Sequence, residues 1–476
     1  MAISIKSPTA TTGSIQLNGS DVLTIDSSGN LTAPNNLTVT GTVNELTVGK
    51  GSGNVATNTA LGSDALYSNT TGGNNTAVGY QALYDNTTGE RNTALGQQAL
   101  ASYTGNQSTA VGYQAGYDVT TGLYGTYVGY LAGANVTTGS YNVALGRAAL
   151  VTNTTGGSNT ALGTQALNSN TTASENTAVG YNTARSVTTG AGVTAVGTTA
   201  LYSATTGNNN TALGYQAGYY TTTASDNTFV GSTAGLSNAT GASNTALGRG
   251  ALYSNTTASN NVAVGYQAAN SATTAGSIVA VGYNAFPSLT TGSYVQAMGQ
   301  SAGTNLTTGA FGTYIGHGAG ASGANVNHEL YISSANGGTG KGSNTGFINP
   351  QSGGVYQGNN SSTWSTTSDR RLKKNIVDNN TGLDAIKQVQ VRNFEYRTQD
   401  EVTDLPQNQA IDKQGIQLGV IAQEIQQVLP DMVKEESTGV LSVDPDNMTW
   451  YLVNAVKELS AKVEALQTEI NAIKGQ

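Results

Sequence analysis

A serine stands five residues ahead of two adjacent lysines in the run Ser368-Asp369-Arg370-Arg371-Leu372-Lys373-Lys374-Asn375-Ile376. A serine hydroxyl is a weak nucleophile until a nearby base takes its proton, and a lysine does this only when burial or neighbouring cations lower its pKa. Arg370, Arg371 and Lys374 are cations of that kind. Spacing alone does not choose between Lys373 and Lys374 as base, and Ser-x4-Lys is also what a solvated basic loop produces. Elsewhere chemistry is sparse. Between residues 51 and 350 the acids are Asp64, Asp85, Glu90, Asp118, Glu175, Asp226 and Glu329, and none recurs at one position in many repeats. Glycan hydrolysis calls for two carboxylates about 5 to 9.5 Å apart, so a glycosidase is not expected. The two histidines, His317 and His328, are eleven positions apart and no cysteine accompanies them, so neither a metal site nor a cofactor is expected.

Tyrosine offers a different chemistry. There are 24 tyrosines against five phenylalanines, and many follow a recurring glycine: Tyr80, Tyr113, Tyr130, Tyr181, Tyr215, Tyr266 and Tyr283. Stacked along one side of a rod, Tyr80, Tyr113, Tyr130, Tyr215, Tyr266 and Tyr283 could hold sugars through ring faces, helped by Gln81, Gln114, Gln216 and Gln267. The plainer reading is that these amphipathic rings cover the rod and turn their hydroxyls to water.

What must position these residues is a 17-residue unit, plainest at Asn75-Thr76-Ala77-Val78-Gly79-Tyr80-Gln81-Ala82-Leu83 followed by Asn86-Thr87-Thr88-Gly89. Its glycine recurs sixteen times from Gly62 to Gly316, in fourteen steps of 17 and one of 16, Gly96 to Gly112. A period held that long means a repeat architecture. An aliphatic residue or methionine precedes each glycine, alanine usually stands two before, and alanine stands three after in all but one, where Thr183 follows Gly180. Asparagine often sits four before, as at Asn58, Asn75, Asn92, Asn142, Asn159, Asn176, Asn210, Asn227, Asn244 and Asn261. Two short strands per unit, separated by Thr-Thr-Gly turns, fit the pattern, and a helix does not. Alanine and valine suit a narrow interior, glycine permits close backbone approach, and aligned asparagines can satisfy buried polar groups. At about 4.8 Å per coil, sixteen coils make a rod roughly 75 Å long. Seventeen residues enclose little core, so several chains, three by expectation, should share one.

Composition agrees with a structural protein. Of 476 residues 62 are glycine and only 10% are charged, against roughly 25% in an ordinary domain. The net charge of −8 argues against a general nucleic-acid or anionic-membrane binder. The start, Met1-Ala2-Ile3-Ser4-Ile5-Lys6-Ser7-Pro8, lacks the apolar run of a signal peptide, and no long apolar stretch follows, so a soluble product outside the standard secretion route is expected.

The chain divides into four. Residues 1–48 alternate apolar and polar positions in short runs punctuated by turns, which reads as small strands of an anchoring segment or leader. Residues 51–325 are the repeats. Residues 326–367 break the period and read as the rod's end cap or tip. From 368 to 476 charge crowds in, and the end is helical, with Leu452, Val456, Leu459, Val463, Leu466, Ile470 and Ile473 spaced alternately by four and three. That is a heptad seam expected of a coiled coil.

The repeat block resembles the heads of trimeric autotransporter adhesins, where Asn-x-x-x-Gly-x-x-Ala-like units form a parallel β-roll in a three-chain bundle. The expected absence of a secretion signal and membrane-anchor barrel argues against a surface adhesin. Residues 364–476 resemble more specifically the C-terminal intramolecular chaperone of bacteriophage tail spikes, tail fibres and endosialidases. The Ser368–Ile376 run, the segment Gly419-Val420-Ile421-Ala422-Gln423-Glu424-Ile425 and the terminal seam match in order. In that family the domain assembles three chains, templates the β-structured trimer and cuts itself off before the serine. The resemblance implies Ser368 as nucleophile, Lys373 as base and Thr367–Ser368 as the bond cut. The fold expected is mainly β: a trimeric β-solenoid or β-roll with a C-terminal α+β chaperone and triple coiled coil. The function expected is a homotrimeric phage tail fibre, made in the host cytoplasm and built into the virion. Its N-terminus would meet a tail or baseplate protein, and it would recognise a bacterial surface polysaccharide without binding nucleic acid or inserting in a membrane. A polysaccharide-depolymerising spike and a spacer fibre are the rival readings.

Overall fold

The computed structural model describes residues 13–17, 21–25, 31–32, 42–43, 46–334, 337–350, 355–357, 365–366, 369–404, 411, 413–436 and 439–475. It divides into two compact units, Met1–Thr367 and Ser368–Gln476.

The first unit is a β-solenoid. Each repeat contributes one three-residue strand, from Thr59–Leu61 through Thr313–Ile315. Successive strands pair parallel and in register, Thr76 to Thr93, Ala77 to Ala94, Val78 to Leu95. The ladder goes on in parallel through Leu330–Ser333 and Gly346–Asn349, two strands past the last repeat glycine and into the segment expected as a cap. An antiparallel strand covers each end: Leu46–Gly49 against the first strand, Val355–Gln357 against the last. Edges closed this way offer fewer free backbone groups to other chains. Ahead of the ladder, Gly13–Leu17, Asp21–Ile25 and Leu31–Thr32 form an antiparallel meander. The alternation of apolar and polar side chains expected over residues 1–48 lies outside the described residues.

The second strand expected in each unit does not form. Residues two and four after the glycine take left-handed backbone angles, such as Gln81 (φ 53°) and Leu83 (φ 51°), which turn the chain too sharply for a strand. The backbone still bonds from coil to coil there, Gln81 N–H to Ser63 O at 3.0 Å and Leu83 N–H to Ala99 O at 3.0 Å. Every coil is therefore a layer tied to both neighbours by main-chain bonds.

Nor does the core need several chains. The alanines two before and three after the glycine are buried, and leucine four after it fills the space between, as Ala94, Ala99 and Leu100 do at 0% exposure. The expectation of a shared core counted residues and overlooked how small the enclosed space is. Where an aromatic replaces alanine on one wall, glycine replaces leucine opposite. Tyr127 lies between Gly116 and Gly133, and a Cβ on Gly133 would come within 2.2 Å of the Tyr127 ring. Phe229 lies likewise between Gly218 and Gly235. Interiors packed to crystal density require such exchange of volume. Thr183, the exception among the alanines, is buried with its hydroxyl donating to Gly197 O at 2.6 Å.

The asparagines form the expected ladder. Asn159 is fully buried; its Oδ1 accepts from Asn176 N–H (3.1 Å) and its Nδ2 donates to Ala173 O (2.9 Å). The same pair of bonds recurs at Asn75, where Oδ1 accepts from Asn92 N–H and Nδ2 donates to Gly89 O. Asn159→Ala should orphan the Asn176 amide in a dry interior at a cost of about 2 kcal/mol. Hydrogen exchange resolved to residues 174–178 should then quicken about thirtyfold. Unchanged protection would mean that water or a rotated neighbour satisfies the amide.

The second unit is small and α+β. Helices α1 (Leu383–Ile386), α2 (Ala422–Val428) and α3 (Asp446–Lys474) accompany two antiparallel pairs, Arg392–Phe394 with Gln417–Gly419 and Val433–Glu435 with Leu441–Val443. Its core gathers Ile425, Leu429, Met432 and Tyr451. The start of α3 is held there. Tyr451 OH donates to Asp431, Asn447 Nδ2 donates to the same carboxylate at 3.2 Å, and Glu458 caps α1 by accepting from Leu383 N–H at 3.0 Å.

Candidate functional site

Thr367 and Ser368, the expected scissile pair, lie outside the described residues; description resumes at Asp369. Asp369 caps a single 3-10 turn, Arg370–Leu372, by accepting from Arg371 N–H at 2.8 Å. The Arg371 guanidinium folds back on the same carboxylate, with Nε 3.1 Å from both oxygens. Hydrogen bonds from Arg371 hold the Asp369 carboxyl below the usual carboxylate range. Arg371 is thus engaged in a clamp with Asp369. The clamp joins residues two apart and depends on the turn between them, so charge spacing alone does not reveal it. It sets the backbone directly after Ser368.

Lys373 ends that turn in an extended conformation (φ −113°, ψ 140°), its N–H bonded to Arg370 O. Lys373 and Lys374 are both exposed. The burial that makes a lysine a base is therefore not supplied to either by the described residues of one chain.

Beyond residue 458, every described residue of α3 is exposed. All seven seam residues, Leu452, Val456, Leu459, Val463, Leu466, Ile470 and Ile473, are 44–72% exposed. A continuous helix presents the seam, and among the described residues no helix pairs with it beyond the contact of α1 with its start.

On the solenoid the tyrosines after the glycine do form one exposed row, at Tyr80, Tyr113, Tyr130, Tyr215, Tyr266 and Tyr283. Their faces are not all free. Tyr113 stacks on Tyr130 at 5.3 Å and 13°, and Tyr266 on Tyr283 at 5.3 Å and 9°. Arg249 covers Tyr266 at 5.7 Å. A ring stacked on its neighbour has spent that face, so these pairs offer edges and hydroxyls. Tyr80 has Ser63 and Gln97 beside it in the row, and Tyr215 has Thr198 and Ser232. The glutamines also pair with each other: Gln98 Nε2 donates to Gln81 Oε1 (3.1 Å), and Gln114 Nε2 to Gln98 Oε1 (2.9 Å).

The buried acid of the solenoid, Glu329, takes the ladder position that asparagine holds elsewhere. It accepts from Gly342 N–H (2.8 Å), Ser322 N–H (3.1 Å) and Tyr314 OH (3.2 Å), which tie the end segment to the last coils. Those donors account for it as a structural anchor. His328 stacks on Phe311 at 4.8 Å. Among the described residues no group of three or more His, Cys, Asp or Glu gathers where a metal could sit, and no helix is long and apolar enough to cross a membrane.

Residues 368–434 match the family described as chaperone of endosialidase. The match begins at the residue where the second compact unit begins. No curated protein and no solved structure matches the chain. A chaperone unit of this kind behind a β-solenoid of 17-residue coils fits a tail fibre with an endosialidase-type chaperone domain.

Proposed function

We propose that the chain is a phage tail fibre that works as a homotrimer. Residues 1–48 attach it to a tail or baseplate protein of the virion. The solenoid projects from that anchor and meets a bacterial surface polysaccharide during adsorption. The C-terminal unit gathers three chains through the α3 seam, starts the solenoid in register and then cuts itself away. The observation that carries this reading is the family match at 368–434, which begins at the first residue of the second unit.

The chemistry proposed is acyl transfer. Ser368 Oγ attacks the Thr367 carbonyl as Lys373, or its neighbour Lys374, takes the hydroxyl proton. The Thr367–Ser368 amide then breaks, its nitrogen receives a proton, and water releases the new C-terminus. Both lysines stand exposed in one chain, so the burial that prepares the base comes from assembly. Of the tyrosines, Tyr80, Tyr181 and Tyr215 are best placed to receive a sugar face-on, since none has an aromatic neighbour in the row. The stacked pairs favour the spacer reading for their own coils.

Expression of residues 1–367 without the second unit tests the chaperone role. The full-length gene should yield a protease-resistant trimeric rod by light scattering, and the shortened one monomer or aggregate. A shortened gene that yields the same trimer would remove the chaperone from the account. Adsorption of the trimer to a panel of bacteria, lost when surface glycans are oxidised with periodate, tests the receptor class; binding that survives would point to protein.

A further inference from the structure

Each solenoid strand sends its middle residue into the core and its two ends outward. The third residue is aliphatic or methionine in all sixteen repeats, and Leu95, Leu145, Val196, Leu213, Leu247 and Met298 are 37–46% exposed. The first is threonine in twelve repeats, valine in three and glutamine in one. Neither position carries a charge in any repeat, although arginines, aspartates and glutamates stand on other parts of the coils, as at Arg91, Arg147 and Asp226. In-register pairing lines these residues into one uncharged ridge roughly 75 Å long. A contiguous apolar strip of that reach exceeds what scattered surface hydrophobics produce.

We propose that this ridge is the face along which copies of the same chain pack about a common axis. The inference rests on the threefold reading above and adds the surface that the solenoid contributes to it. A partner must match the ridge over its whole length at the same spacing of about 4.8 Å, and a parallel copy does so. The exposed seam of α3 independently calls for further helices to pack on it, which copies of the chain supply. A strip about 75 Å long and 7 to 10 Å wide is on the order of 600 Å² per chain, which a threefold axis divides between two neighbours, so the solenoid contact adds to that of α3 rather than replacing it.

The chain contains no cysteine, so single cysteines can carry spin labels without background. Val196→Cys and Leu145→Cys label the ridge; Tyr141→Cys, at an exposed ring outside it, labels another part of the coil. Pulsed dipolar distances between copies of the full chain are read beside its mass by light scattering. Trimeric mass with ridge labels about 10–20 Å apart, and Tyr141 labels clearly farther, supports the packing. Trimeric mass with Tyr141 labels the closer set overturns the ridge and leaves the threefold reading standing. Monomeric mass overturns both. The second ridge position guards against one variant that fails to fold.

Discussion

Ser368→Ala should leave one polypeptide of 476 residues where the unaltered chain should yield pieces of 367 and 109. Removing the nucleophile of an acyl transfer lowers the rate on the order of a millionfold, enough to leave no product over days. Intact mass under denaturing conditions reads the outcome directly. Lys373→Ala separates the two candidate bases. Loss of cutting assigns the proton to Lys373, and cutting that persists moves it to Lys374. A single full-length species from the unaltered chain would sink the peptidase proposal and make the second unit a permanent cap. The Asp369–Arg371 clamp adds a finer expectation, because it holds the turn that follows the proposed nucleophile in sequence. Loss of its guanidinium bonds in Arg371→Ala should slow the cut without abolishing it.

The second large effect belongs to the glycine column. Gly248 has φ +133°, and a Cβ there would lie 2.4 Å from Gly265 O and 2.6 Å from its carbonyl carbon. Gly248→Val therefore meets a forbidden backbone region and a collision with the next coil at once, for at least about 3 kcal/mol. Since each coil leans on its neighbours, the break should spread, and limited proteolysis should cut the solenoid near residue 248. Gly276→Ala is the control. Its backbone is not left-handed and its nearest atom is Ser259 O at 3.4 Å, so it should be neutral or stabilising by up to about 1 kcal/mol. Equal stability of the two variants would refute the account of the column.

Both results depend on features that the amino-acid order shows unequally. The period, the alanine walls and the asparagine ladder are legible because one residue type repeats at one phase, and Asn159 bonds as that pattern requires. The left-handed pair at Gln81 and Leu83 is not, since neither residue type announces such angles; two strands were expected where one forms. The exchange of leucine for glycine at Gly133 answers Tyr127 from another wall, so it shows only once the walls face each other. Serine and lysine spacing suggested a chemistry, but neither the exposure of Lys373 nor the clamp on Arg371 follows from spacing. The tyrosine row was readable from its phase, whereas the loss of ring faces to stacking needed the measured 5.3 Å between rings.

Because every coil closes on its own core, the reach of this protein is a counted quantity. Seventeen residues add or remove one layer of about 4.8 Å, and the layers on either side then meet a surface of the same kind. Length can therefore change in whole steps without new interior contacts having to be found. A chain built this way can be extended or shortened by copying or excising a segment, leaving the segments on either side of the ladder untouched.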